Sequence, residues 1–241
     1  MSEYNLYNLK KDKMDVKKII LTCHGFDSSK NSDSINKFAE AFFETDIPII
    51  SFDWAGHGDN SEKVTIKNCI NIFKKIEKKI NNEYPNAKIF LYGSSFGAYI
   101  ILLLLSKNII TNSNKKYPFI FLKSPAIKMN EIFKEKLIEE KIEDYKKRGY
   151  TIKNRNKKMI IPYEFYEELN ENKIEEQEII NLAQNMMIFH GTEDEIASIN
   201  DSKKLECDNI KIMELLGATH SFKGEYLECM IKEMLNIIQN F

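Results

Sequence analysis

At 241 residues, with 43% hydrophobic and 29% charged side chains, the chain has the size and composition of one α/β domain, or of one domain carrying a modest insertion, and it can bury a large core. Its 35 basic and 36 acidic residues are mixed along the sequence for a net charge of -1, so there is no broad basic field to neutralise phosphates and nucleic acid is not an expected partner. No apolar run approaches membrane-spanning length and residues 1–18 carry no secretory-signal pattern, so a cytoplasmic protein without a membrane partner is expected.

In chain order, the first expected strand is 17–23, around Ile19-Ile20-Leu21, and the second is 47–52, around Pro48-Ile49-Ile50. Each is a short apolar run ending in a polar, glycine-containing turn. Ile66, Ile70, Phe73, Ile76 and Ile80 then recur at helical spacing, as one apolar stripe on a helix whose other face is rich in lysine. A third strand at 88–92 leads through Gly93-Ser94-Ser95-Phe96-Gly97 into residues 98–105, which are apolar on every side and predict a helix buried all round. Further strands are expected at 118–122, 186–189 and 210–213. This alternation predicts an α/β fold, a mostly parallel sheet with helices on both faces, with ligands at the carboxyl ends of the strands.

Residues 128–185 break the alternation. They run without a convincing strand, from a charged helix-like segment at 130–147 that Arg148-Gly149 ends, through the cluster Ile160-Ile161-Pro162-Tyr163-Glu164-Phe165-Tyr166, to a helix over 174–184. The expected division is a core of 1–127 and 186–241 with 128–185 as a helical lid insertion. Cys23, Cys69, Cys207 and Cys229 are scattered as free thiols are, and no ligand spacing such as H-E-x-x-H predicts a metal. Arg148 and Arg155 are the only arginines, which disfavours a bidentate guanidinium clamp as the main recognition device.

A G-x-S-x-G turn between strand and helix lifts its serine onto a sharp corner with the hydroxyl exposed and helix amides pointing toward it, so Ser95 is the candidate nucleophile. A serine hydroxyl needs a base within hydrogen-bond reach, itself oriented by a third group, usually a carboxylate. His24, His57, His190 and His220 all fall beside expected strand ends and should meet on one rim of the sheet. His220, beyond the last strand, is the candidate base, and Asp194, beyond the strand before it, is the candidate acid, in the order serine, acid, base. Glu193, Glu195 and Asp201 are near enough in sequence that a carboxylate could reach His220 from several positions. His24, His57 and His190 each precede a glycine and are expected to make structural hydrogen bonds or to sit on the rim, not to transfer protons.

Five motifs in family order make the chain resemble the α/β-hydrolase family over nearly its whole length: His24-Gly25-Phe26, Asp53-Trp54-Ala55-Gly56-His57-Gly58, Gly93-Ser94-Ser95-Phe96-Gly97, His190-Gly191-Thr192-Glu193-Asp194 and Gly217-Ala218-Thr219-His220. Within it the chain is most similar to small bacterial lid-containing serine esterases, cinnamoyl esterase-like or serine aminopeptidase-like. It departs at Ala55 and in an amino-terminal region with little room for the family's opening hairpin. The resemblance implies an α/β-hydrolase fold, with Ser95 as nucleophile, His220 as general base and then acid, and Asp194, four residues after His190, orienting the imidazole. It also implies an oxyanion hole made by the backbone amides of Phe26 and Phe96. It implies no cofactor and a small-molecule ester as substrate. A thioester or amide cleaved through the same acyl-enzyme is an alternative, as is a non-catalytic binding protein on the same fold. Tyr163, Phe165 and Tyr166 are then candidate substrate-binding residues, closing over an acyl or aryl group, unless they only hold the insertion to the core. No sequence feature marks an oligomeric state.

Overall fold

Among the described residues nine strands form, in chain order: β1 (Tyr4–Tyr7), β2 (Lys18–Cys23), β3 (Ile49–Phe52), β4 (Lys88–Ser94), β5 (Ile120–Lys123), β6 (Tyr150–Lys153), β7 (Met159–Pro162), β8 (Met186–Gly191) and β9 (Ile210–Leu215). They come from a computed structural model that describes residues 3–110, 116–153, 158–182 and 184–241. Seven build one sheet in the order β1-β3-β2-β4-β5-β8-β9, parallel throughout except for β1, which runs antiparallel on the edge beside β3. This is the α/β-hydrolase arrangement.

The central strands read as unbroken apolar runs because alternate residues bury on opposite faces of the sheet. Ile19, Leu21, Ile89, Leu91, Ile120 and Leu122 join the core beneath α2 (Ile66–Glu83) and α3 (Phe96–Ser106). Ile20, Ile49, Phe90 and Phe121 join a second core beneath α1 (Asp33–Ala41) and α9 (Glu225–Gln239). Thr65 caps α2 by accepting from the Asn68 amide at 3.0 Å, and the stripe of Ile66, Phe73, Ile76 and Ile80 faces inward. No helix among the described residues is long and apolar enough to cross a membrane.

Residues 128–185 carry α4 (Met129–Ile132), a wider turn at Phe133–Leu137, α5 (Ile142–Arg148), α6 (Tyr163–Glu171) and α7 (Glu176–Asn181). They are not wholly helical, as their sequence suggests, because β6 and β7 pair as an antiparallel hairpin with Thr151 opposite Ile161 and Ile152 opposite Ile160. The pairing sends the neighbours Ile160 and Ile161 to opposite sides, one exposed and one buried, so an apparent apolar block is really a strand alternation. Residues 154–157, with Arg155, and residue 183 lie outside the described residues. Gly149 ends α5 in the left-handed conformation, at φ 82°, as the sequence leads one to expect.

The short amino terminus also does more than its polar sequence suggests. It supplies β1, whose Tyr4 is buried against the core and donates its hydroxyl to Glu83 at 2.8 Å. An edge strand needs apolar character on one side only, so it leaves a weak signal.

Side chains of residues 128–185 belong to the main core. Phe133, Tyr145, Phe165, Leu169 and Ile179 join the cluster beneath α2 and α3. The Glu168 carboxylate of α6 accepts from the Ile66 amide at the start of α2, and the Tyr99 hydroxyl of α3 donates to the Asn172 carbonyl at 2.8 Å.

Helix α3 is buried along 96–105 and lies so close to β2 and β4 that side chains at two glycines would collide with backbone. A Cβ on Gly97 would stand 2.0 Å from the Cys23 carbonyl oxygen, and one on Gly93 would stand 2.8 Å from the Ala98 Cα. Gly97→Ala is therefore expected to lower stability by about 1–3 kcal/mol, the usual range for overpacking, as measured by denaturant unfolding. An unchanged midpoint would mean that the contact between α3 and β2 is loose.

Candidate active site

Ser95 occupies the corner between β4 and α3 at φ 52° and ψ -110°, a backbone conformation that costs a residue with a side chain of order 1–3 kcal/mol. The surroundings hold it there. Its amide donates to the Lys123 carbonyl at 2.9 Å, and its carbonyl accepts from Tyr99 at 3.0 Å and Ala126 at 3.3 Å. The next amide, that of Phe96, opens the helix, where N–H groups have no intrahelical acceptor and favour negative charge.

The structure brings together the three side chains singled out in the sequence. His220 Nε2 lies 2.9 Å from Ser95 Oγ, and His220 Nδ1 lies 2.9 Å from both carboxylate oxygens of Asp194. With Nδ1–H donating to Asp194, Nε2 is left as the acceptor for the serine proton, so the partners set the tautomer. Neither Glu193 nor Asp201 takes this place, and Glu195 instead accepts from the His220 backbone amide at 3.1 Å. The two loops are joined further by Glu193 N–H to the Ala218 carbonyl at 3.0 Å and Gly217 N–H to Thr192 Oγ1 at 2.9 Å.

Burial by itself would raise the Asp194 pKa. Hydrogen bonds from His190, His220 and the Ala197 amide, with the charge of His220, outweigh it and hold the carboxyl well below the usual carboxylate range. His190 was expected to be structural, and it is buried with Nδ1 at 2.8 Å from Ser202 Oγ. Its Nε2, 3.0 Å from the Ala197 carbonyl and 3.2 Å from Asp194 Oδ2, makes it a direct partner of the acid, which its sequence context did not signal.

His24 ties the end of β2 to the turn after β3. Its Nε2 accepts from the Trp54 amide at 3.3 Å, its Nδ1 lies 2.8 Å from the Gly25 carbonyl, and its carbonyl accepts from the Trp54 indole at 2.9 Å. Burial pushes its pKa down to about 4, more than the Gly25 hydrogen bond and Asp53 raise it, so the ring is neutral. His57 Nδ1 lies 2.9 Å from the Ala55 carbonyl, and its ring stacks on Phe96. The loop carrying Phe26 is anchored by Asp53, which accepts from the amides of Lys30 at 2.7 Å and Asp59 at 2.9 Å and pairs with the Lys30 ammonium at 3.1 Å. Its sequence gave no sign of this buried pair beyond the Asp53-Trp54 motif itself.

The Phe26 ring packs edge-on against Phe96, with centroids 5.6 Å apart, and stacks on Phe165 at 5.8 Å. A cavity of about 460 Å³ opens beside Ser95, with His220, Phe26, Lys123, the start of α1 and residues 221–223 in its walls. Tyr163, Phe165 and Tyr166 do not line it. Phe165 is fully buried behind Phe26 and Phe96, Tyr163 packs edge-on against Tyr145, and Tyr166 stacks on Phe133. These aromatic residues pack behind the Phe26 loop, as in the second of the two expectations for them, in which they hold 128–185 to the core. Among the described residues no group of histidine, cysteine and carboxylate side chains could hold a metal, and Cys23, Cys69, Cys207 and Cys229 are all free thiols.

Residues 14–173 match the family model described as serine aminopeptidase, S33. The match includes His24, Asp53 and Ser95 and stops before Asp194 and His220. No curated protein matches the chain. Among solved structures, the chain is similar to Est1E from Butyrivibrio proteoclasticus with ferulic acid bound, at 17% identity and a TM-score of 0.77, covering 98% of this chain and 96% of that one. It is also similar to a soluble variant of monoglyceride lipase from Saccharomyces cerevisiae in complex with a substrate analogue, at 13% identity and a TM-score of 0.75, covering 98% and 90%. A monoacylglycerol lipase from Paleococcus ferrophilus has 16% identity and a TM-score of 0.66, covering 97% and 96%.

Two outcomes test this geometry. Asp194→Asn, which leaves the imidazole without an anion and with its tautomer disturbed, is expected to slow labelling of Ser95 by a fluorophosphonate by about 1000-fold or more. Labelling at the wild-type rate would show that Asp194 does not govern His220. Asp53→Ala leaves the buried Lys30 ammonium with Asp59 as its one remaining carboxylate and the Lys30 and Asp59 amides without their acceptor, and should cost about 3 kcal/mol of unfolding free energy, read from denaturant melts.

Proposed function

The chain belongs to the serine aminopeptidase S33 family of α/β-hydrolases, and from that premise we propose that it hydrolyses a carboxylic ester through an acyl-enzyme formed on Ser95. One observation carries the reading: the unbroken hydrogen-bonded line from Ser95 Oγ through His220 to Asp194. Ser95 Oγ attacks the ester carbonyl carbon while His220 Nε2 takes its proton, and the amides of Phe26 and Phe96 meet the developing oxyanion. Asp194, kept ionised by its hydrogen bonds, faces the imidazolium that forms. Collapse of the intermediate expels the alcohol, protonated by His220. The same imidazole then activates a water that releases the carboxylic acid.

The cavity supports an ester over a peptide with a free amino terminus. An aminopeptidase must hold its substrate's α-ammonium, which calls for carboxylates near the nucleophile. Here Lys37, Lys123 and Lys223 line the cavity against the single carboxylate of Asp33. The named esterase and lipases of the same fold are consistent with that preference. Residues 128–185 we read as a cap that acts on substrate choice through the Phe26 loop, by way of Phe133 and Phe165. No cofactor enters any step.

Ser95→Ala should lower hydrolysis of 4-nitrophenyl butyrate by at least about 1000-fold while leaving the circular dichroism spectrum unchanged. Activity retained within tenfold of wild type would falsify the assignment of the nucleophile.

A further inference from the structure

Lys123 plays no part in the steps above, yet it ends β5 directly beside the nucleophile. It pairs in register with Ser94 of β4, its carbonyl accepts the Ser95 amide, and its side chain enters the wall of the Ser95 cavity. The contacts of its ammonium are to neutral groups: the His220 carbonyl at 2.8 Å, Ser94 Oγ at 3.5 Å and the face of Phe222 at 4.8 Å. The negative charges that act on it from farther away, Asp194 and Glu195, are already engaged with the His220 side chain and the His220 amide.

Lys30 shows what this protein provides for a buried lysine that has only a structural role. At 5% exposure its ammonium pairs with Asp53 at 3.1 Å and Asp59 at 3.0 Å. A buried cation without such a partner is costly, and the cost falls when an anion enters beside it. Burial pushes the Lys123 pKa down to about 8, with Asp194 and Glu195 working against the shift, so the group still carries its proton at neutral pH. Lys37 and Lys223 add positive charge around the same cavity.

We propose that Lys123 is the anion anchor of the Ser95 cavity, and that the substrate is an ester bearing a carboxylate within reach of its ammonium. The proposal rests on the ester-hydrolase reading of Ser95. The carboxylate belongs either to the acyl group or to the leaving alcohol, and the chemistry that recognises it is the same in both cases: a desolvated ammonium close to the reacting carbonyl. Lys123 also steadies the loop of His220 through its carbonyl, a role that would affect all substrates alike.

The experiment compares two matched pairs of esters on wild type, Lys123→Gln and Lys123→Met. For the acyl side the pair is the 4-nitrophenyl half-ester of adipic acid and 4-nitrophenyl hexanoate. For the alcohol side it is 4-acetoxybenzoate and 4-acetoxybenzamide. In wild type the carboxylated member of one pair should have a kcat/KM at least tenfold above its neutral partner, and that ratio should fall to near one in both variants. A wild-type preference for the neutral member of both pairs overturns the proposal, whether or not the variants fold. A ratio that survives in the variants while both rates fall together also overturns it, since it leaves Lys123 only its structural contact. Failure of wild type to hydrolyse all four esters would instead remove the ester reading itself, and the proposal with it.

Discussion

The positive-φ corner at Ser95 can exist only because β4 and α3 are held at a fixed separation, and most of the surrounding architecture serves that separation. Gly93 and Gly97 let helix and strand backbones approach to distances that a methyl group would forbid. The amide and carbonyl of Ser95 are committed to β5, α3 and the turn after β5, so the hydroxyl is the part of the residue left to face the cavity. His220 and Asp194 arrive on loops after β9 and β8, two strands that are neighbours in the sheet, so the sheet order brings them together.

Charge is distributed around this corner with a clear division. The acid is surrounded by donors from His190, His220 and backbone amides, so it remains an anion despite burial. His24 is kept neutral, and its work is mechanical, fastening the Phe26 loop to the turn after β3. Lys30 and Asp53 satisfy one another beneath that same loop. Unlike Lys30, Lys123 has no carboxylate given over to it, and it also faces the cavity.

Much of this was legible in the sequence where the signal is local. The apolar runs at Ile19-Ile20-Leu21 and Ile49-Ile50 mark strands buried on both faces, the Ile66-to-Ile80 stripe marks α2, and the all-apolar segment after Ser95 marks a helix with no solvent face. Chain order pointed to His220 and to the acidic cluster around Asp194, and the family spacing of four residues after His190 favoured Asp194 within it. What escaped depends on partners distant in the chain. The β6–β7 hairpin hides in Ile160-Ile161 because only pairing reveals which of the two turns inward. Phe165 looks like a substrate contact until Phe26 is seen to lie between it and the cavity. Lys123 is one lysine among many in a lysine-rich chain, and only the burial of its side chain at the end of β5 distinguishes it.

Helix α3 has a consequence for how the protein is made. Ten residues in a row, 96–105, have no face that tolerates water, so the helix gains its stability from the sheet on one side and from α2 and α7 on the others. Local propensity alone could not maintain the corner at its head. In a nascent or partly opened chain, Ser95 would therefore lack the corner geometry that the closed domain imposes on it.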